Sequence, residues 1–297
     1  MGNSLSIKVF EPDHSIKAAM FIVHGMQEHK ERYYAFAEYL RERGIAVICY
    51  DLPGHGQSCT KEERGFFGEK HGWTNLVFSA LEITFKAKSE YKDVPIIYFG
   101  HSMGTMIGRC FLQEYDSLID GMILSGAPNY NPAAYLGKEI ARAAFLARGT
   151  HSVTPALVEV AVGSFNKGVE NPRTELDWLS VNEKNVDAYI ADPDCGFPFT
   201  NKGYYDLFNG MTKMHDKNLF KKRNLKLPIY MFAGEEDPCI GGIKGFQSSI
   251  QFLKDVGYKN IYPKLYPGLR HETLQEENVE YIYQDIYKWI EKIISAG

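Results

Sequence analysis

Residues 96–104, Ile-Ile-Tyr-Phe-Gly-His-Ser-Met-Gly, constrain this chain more tightly than any other stretch. A run of strand-forming residues enters a Gly-x-Ser-x-Gly turn. Thr105 to Tyr115 then reads as a helix, with Met106, Cys110 and Phe111 spaced for one buried face. A serine held between strand and helix has its Oγ lifted clear of the sheet. The two elements run close together there, so the flanking positions must be small, as Gly100 and Gly104 are. Ser102 also stands where a helix begins, and free N–H groups and the helix dipole favour an oxyanion at that point. Glycine-rich βα turns write such a motif by chance as well, so its meaning depends on a base, an acid and an oxyanion donor in the right order.

The rest of the chain has a matching rhythm. Leu5 to Phe10 alternates like a half-exposed strand, Ile16 to Val23 and Ile45 to Tyr50 read as buried strands, and Gly121 to Leu124 as another. Helices are expected over Tyr33–Arg43, which Gly44 stops, and over Trp73–Tyr91. Strand and helix in alternation give an α/β fold: a mostly parallel central sheet with helices on both faces. The rhythm breaks after Ser125-Gly126-Ala127-Pro128. From 129 to 222 only helices are expected, over Pro132–Ala147, Pro155–Phe165, Asn182–Ala191 and Tyr204–Met214. Strands return at 228–233 and Tyr262–Tyr266, and a closing helix runs from about Asn278 to Ile294. The expected organisation is a core of residues 1–128 and 223–297 interrupted by a helical insertion of residues 129–222.

Composition removes several function classes. A net charge of −4 gives nucleic acid no basic footprint. The five cysteines are scattered without metal-binding spacing, which suits a reducing, cytoplasmic setting. No apolar stretch approaches the ~20 residues of a membrane span, and the N-terminus lacks the build of a signal peptide. Gly2 and Ser6 match a loose myristoylation pattern, but a first strand is the favoured reading of that segment. No metal or organic cofactor is implied.

The remaining site residues lie where parallel sheets place them, past strand C-terminal ends. The strand at 229–233 runs into Gly234-Glu235-Glu236-Asp237-Pro238, with Asp237 the preferred acid and Glu235 and Glu236 its rivals. The strand Tyr262–Tyr266 runs into Pro267-Gly268-Leu269-Arg270-His271-Glu272. A histidine there can reach the serine, take its proton and return it to the leaving group, while the acid fixes the ring tautomer. The two oxyanion donors are expected to be the backbone N–H groups of Met103 and Met26, the latter beyond His24-Gly25 in the loop after an early strand. His24, His55 and His101 read as hydrogen-bonded turn residues, with contact to the site the alternative for the first and last.

With these stretches in view, the chain resembles the monoacylglycerol lipase and lysophospholipase branch of the serine α/β-hydrolases. The resemblance rests on His24-Gly25-Met26-Gln27-Glu28-His29, on residues 51–58 (Asp-Leu-Pro-Gly-His-Gly-Gln-Ser), on the serine turn, and on the Asp237 and His271 loops. It spans nearly the whole chain and implies the α/β-hydrolase fold. It also implies Ser102 as nucleophile, Asp237 as acid, His271 as base, and Met26 and Met103 as oxyanion donors. Thr105 stands where the family often has a further glycine. The insertion resembles the family's cap, most clearly at Asp177-Trp178-Leu179-Ser180 and at residues 192–200.

The expected substrate is a small-molecule acyl ester such as a monoacylglycerol or lysophospholipid. Its acyl chain would lie in an apolar cap pocket that includes Gly25, Phe145, Phe197, Phe199 and Phe208. An aminopeptidase or a small or aromatic-ester carboxylesterase on the same triad is the alternative. A peptidase would require a cap carboxylate such as Glu159, Glu170, Glu175 or Glu183. A non-catalytic binding protein of the same fold is the lesser one. The cap's apolar patches are compatible with transient membrane contact, and no motif encodes oligomeric state. Cys239, two residues past Asp237, is expected to be a small buried side chain, with oxidative control as the rival reading.

Overall fold

The computed structural model describes residues 4–295, so Gly2 lies outside the described residues. Among the described residues seven strands form one sheet: β1 (Ile7–Phe10), β2 (Ala18–Val23), β3 (Ile45–Tyr50), β4 (Ile96–His101), β5 (Gly121–Ser125), β6 (Ile229–Gly234) and β7 (Ile261–Tyr266). Their order is β1-β3-β2-β4-β5-β6-β7. Only the edge strand β1 runs antiparallel; the other pairings are parallel. Every residue of β2 to β6 is buried. That is why their sequences are unbroken apolar runs while β1 alternates.

Alternation along each strand sorts side chains to two faces. Ala18, Met20 and Ile22 of β2 join α1 (Tyr34–Arg41) and α9 (Glu280–Ile294) in one core. Ala19, Phe21 and Val23 join α2 (Gly72–Glu90), α3 (Met103–Tyr115) and a further helix, Gly242–Val256, in the other. The sequence reading assigns nothing to that last helix. Phe246, Ile250 and Leu253 recur on its buried face, but the paired Gly241 and Gly242 at its start read as a breaker.

Four helices occupy the insertion, α4 (Ala133–Arg148), α5 (Pro155–Val162), α6 (Glu183–Ala191) and α7 (Asn201–Lys213); the one after β6 is α8. No described residue between β5 and β6 is in a strand. Helix α7 starts earlier than periodicity predicts because Thr200 caps it, accepting the Gly203 N–H at 3.0 Å. It is the insertion's anchor. Phe208 packs on Gly137 of α4, and Gly210 lies against the Trp73 ring of α2 so tightly that a Cβ would fall 2.2 Å from it.

Candidate active site

Strand β4 is central, paired with β2 through Val23–Gly100 and with β5 through His101–Ser125. Ser102 follows it at φ 51°, ψ −116° and caps α3. A non-glycine residue keeps such a φ only when its surroundings hold it there. The Ser102 N–H donates to the Ser125 carbonyl at 2.9 Å, and its own carbonyl accepts from the Thr105 N–H (2.9 Å) and hydroxyl (2.7 Å). Thr105 therefore braces the turn where the family pattern has glycine. The flanking glycines are steric necessities. A Cβ on Gly100 would lie 2.6 Å from the Gly104 carbonyl oxygen, and one on Gly104 would lie 2.0 Å from that of Val23.

Asp237 leaves β6 as the cap of a short 3-10 turn and is buried, whereas Glu235 and Glu236 are exposed. Its Oδ1 accepts the Cys239 N–H at 2.8 Å and its Oδ2 lies 2.8 Å from His271 Nδ1. Burial disfavours charging the imidazole. The adjacent Asp237 carboxylate outweighs burial and raises the His271 pKa well above its ordinary value. This hydrogen bond leaves Nε2 as the ring nitrogen for a proton from elsewhere. Gly234 permits the two loops to meet, since a Cβ there would lie 2.1 Å from the Leu269 carbonyl oxygen.

Ser102 and His271 line one cavity, together with Gly25, Met26 and Met103. Met103 is the first residue of α3, so its N–H has no intrahelical acceptor. Gly25 lies so close to the serine that a Cβ on it would stand 3.1 Å from Ser102 Cβ. Its N–H donates to Glu28 Oε1 at 2.5 Å, which fixes the lip on which Met26 follows.

That carboxylate opens a network whose long-range members carry no local sequence signal. Glu28 Oε1 also accepts from the Tyr33 hydroxyl (2.8 Å), and Glu28 Oε2 accepts from Arg32 at 3.0 Å. Arg32 forks onto Glu272 at 2.5 and 2.7 Å and reaches Asn185 of α6 at 2.9 Å. Asn185 in turn donates to Glu272 at 2.7 Å. Burial alone would raise the Glu28 and Glu272 pKa values, but Arg32 prevails and holds both below the ordinary range. One guanidinium thus joins the Gly25 lip, the residue after His271, and the insertion.

The walls of the cavity differ from the sequence expectation. Gly25 lines it, but Phe145, Phe197, Phe199 and Phe208 do not. Phe145 packs edge-on against Tyr205 at 5.4 Å. Phe197 and Phe199 close around His55, at 5.4 and 5.3 Å between ring centres. Phe208 serves the α4–α7 seam. The lining is instead made by Phe165, Trp178, Leu179, Leu207 and Met211, with Ala161, Val162 and Leu176 beside them. Trp178 lies 5.2 Å from His271 and 4.8 Å from Phe165, ring centre to ring centre.

Of the other histidines, His101 lines the cavity, and burial lowers its pKa to about 3. His24 does not line it. Its Nε2 accepts the Leu52 N–H at 3.0 Å, so Nδ1 donates to the Gly25 carbonyl at 2.8 Å. Cys239 is buried on the cavity wall, and burial pushes its thiol pKa up to about 11. Glu159, Glu170, Glu175 and Glu183 are exposed and none lines the cavity. Its two carboxylate residues, Glu28 and Glu272, are already joined by Arg32.

The family profile described as serine aminopeptidase, S33, matches residues 14–278. The monoglyceride lipase of Mus musculus is 30% identical, over all of this chain and 89% of its own length. The phospholipase YtpA of Bacillus subtilis (strain 168) is 30% identical, over 90% of this chain and 92% of its own. Among solved structures, a thermostable carboxyl esterase from Bacillus coagulans in complex with glycerol superposes with a TM-score of 0.91 at 25% identity, covering 98% of this chain and 94% of that one.

Proposed function

The chain belongs to the monoacylglycerol lipase family of serine α/β-hydrolases, and from that premise we propose how its own residues divide the work. It is a carboxylic ester hydrolase. Ser102 Oγ attacks the ester carbonyl as His271 Nε2 takes the hydroxyl proton. The Nδ1–H bond to Asp237 keeps the ring in that tautomer and stabilises the imidazolium. The oxyanion receives the N–H groups of Met26 and Met103. Collapse expels the alcohol, which leaves with the proton from His271, and an acyl group stays on Ser102. Water, deprotonated by the same nitrogen, then releases the acid and restores the serine.

We assign the substrate class as monoacylglycerols and lysophospholipids with medium or long acyl chains. The observation that carries this is the cavity wall. Ser102 and His271 open into a space lined by Met106, Ala161, Val162, Phe165, Leu207 and Met211, which offers an acyl chain apolar contact and no unpaired charge. The peptidase alternative lacks support, because the cavity's two carboxylates are committed to Arg32. Residues 129–222 act as a cap on a core of residues 1–128 and 223–297. On the cap, Tyr135, Leu136 (66% exposed), Leu146 (71% exposed) and Val160 leave apolar surface in solvent, suited to transient contact with a lipid surface. Five unpaired cysteines fit a cytoplasmic setting.

The test is a chain-length series of p-nitrophenyl and monoacylglycerol esters beside an aminoacyl amide, run on the parent and on Ser102→Ala. Preference for longer chains, lost in the variant, is expected. Best turnover of acetyl esters, or of the amide, would overturn the substrate assignment. Activity surviving in Ser102→Ala would overturn the nucleophile.

A further inference from the structure

A second cluster of donor atoms lies outside the hydrolytic machinery, where the insertion meets the lip of the site. His29 Nε2 is 2.9 Å from Asp192 Oδ2. Cys195 Sγ completes a trio whose donor atoms all lie within 4.8 Å of one another. His29 and Cys195 are buried, and Asp192 is partly open to solvent, which provides a way in. We propose that His29, Asp192 and Cys195 bind a divalent transition-metal ion of the zinc type.

The chemistry of the set is the first reason. Imidazole, carboxylate and thiolate are the three side-chain ligands zinc takes, at about 2.0–2.3 Å. Donors bound tetrahedrally at such lengths lie roughly 3–4 Å apart, so only small side-chain shifts are required. Three protein ligands leave a fourth position for water. The second reason is that the loop is already built. Asp192 Oδ1 accepts the Asp194 N–H at 2.8 Å, which turns Oδ2 toward His29. Arg64 donates to the Pro193 carbonyl at 2.6 Å and pairs with Asp194. The Gly196 N–H donates to the Gln27 carbonyl at 3.0 Å. Such outer partners orient metal ligands. Third, charge permits it. Burial pushes the Cys195 thiol pKa up and nearby Arg32 opposes it; the charge of Arg32 is itself met by Glu28 and Glu272, so the incoming dication supplies the charge that holds the thiolate. A dication with one thiolate and one carboxylate makes a complex of zero net charge.

The Cys195 S–H proton passes to buffer as the metal–sulfur bond forms. His29 ligates through the Nε2 lone pair with its ring proton on Nδ1, and Asp192 binds as a carboxylate. No oxidation occurs. The bound ion ties the segment carrying Gln27 and His29 to the cap loop after α6, so occupancy raises resistance to unfolding.

The experiment is Co²⁺ titration of the metal-free, reduced full chain, read by the cobalt–thiolate charge-transfer band, with Zn²⁺ as competitor and Tm recorded in parallel. A single-site band that Zn²⁺ displaces, with a raised Tm, is expected in the parent and in Cys239→Ser. Both signals should be absent in Cys195→Ser. In His29→Gln, which keeps the thiol, Zn²⁺ affinity should fall by more than the roughly 10–100-fold that loss of an outer partner costs. Asp237, Cys239 and His271 are the rival trio. A band that persists in Cys195→Ser, a band that Cys239→Ser removes, or no band in the parent overturns the proposal.

Discussion

Arg32→Leu removes the one cation that two buried carboxylates share. The parent guanidinium makes four hydrogen bonds: 3.0 Å to Glu28, 2.5 and 2.7 Å to Glu272, and 2.9 Å to Asn185. The Glu28 and Glu272 side chains are buried and that of Arg32 is only 9% exposed. Breaking a buried ion pair from one side typically costs about 3–5 kcal/mol, because the partner charge is left uncompensated. Here two carboxylates are stranded together, so the upper half of that range is expected near neutral pH. At roughly 2 °C or more per kcal/mol for a chain of this size, Tm should fall by about 10 °C. Activity should fall too, since Glu28 fixes the Gly25 N–H and so the lip carrying Met26. Misplacement of about 1 Å there costs on the order of 100-fold in rate. Urea titration and initial rates on a soluble ester measure both.

The pH dependence tests the cause. In the parent, Arg32 holds both carboxyl pKa values down. Their contribution to stability is therefore present above the unfolded pKa and lost as pH falls through the folded one. In Arg32→Leu, burial acts unopposed by that cation and raises them, so the folded variant takes up protons as pH falls. The stability gap between parent and variant must therefore shrink toward acid. A loss below about 1 kcal/mol, the size of an exposed pair, or a gap that does not change with pH refutes the reasoning.

Three further outcomes are expected. Asp237→Asn should lower kcat by roughly 10⁴-fold, the scale seen when the orienting carboxylate of such a triad is lost. Because Asp237 raises the His271 pKa, kcat/KM of the parent should fall as pH drops through that raised value, and the acid limb should move to lower pH in the variant. Trp178→Ala should weaken use of long-chain esters more than short ones, by a factor of about 10 or more from lost apolar area, read as separate kcat/KM values along the chain-length series. Thr200→Ala should cost about 1 kcal/mol through loss of the α7 cap, visible in urea unfolding with soluble-ester kinetics little changed.

The frame of the fold was readable from residue pattern. Strands buried on both faces had to be unbroken apolar runs, so β2 to β5 were legible with boundaries near the observed ones. The serine turn was legible because only glycine tolerates the approaches at positions 100 and 104, and Asp237 and His271 because both follow strands of a parallel sheet in the order the chemistry requires. Tertiary structure alone decided the cavity wall. Phe197 and Phe199 are as apolar as Phe165 and Trp178, and composition ranks them equally. Which rings face the serine depends on how α4 to α7 rotate against one another and against α2 and α3, and contacts such as Gly137–Phe208 and Gly210–Trp73 set that rotation. The Arg32–Glu272 pair joins residues 240 positions apart, and His29 meets Asp192 across 163. Local sequence pattern reports only on neighbours within a turn or a strand, so pairings between loops this distant come into being only when the sheet and the cap have closed.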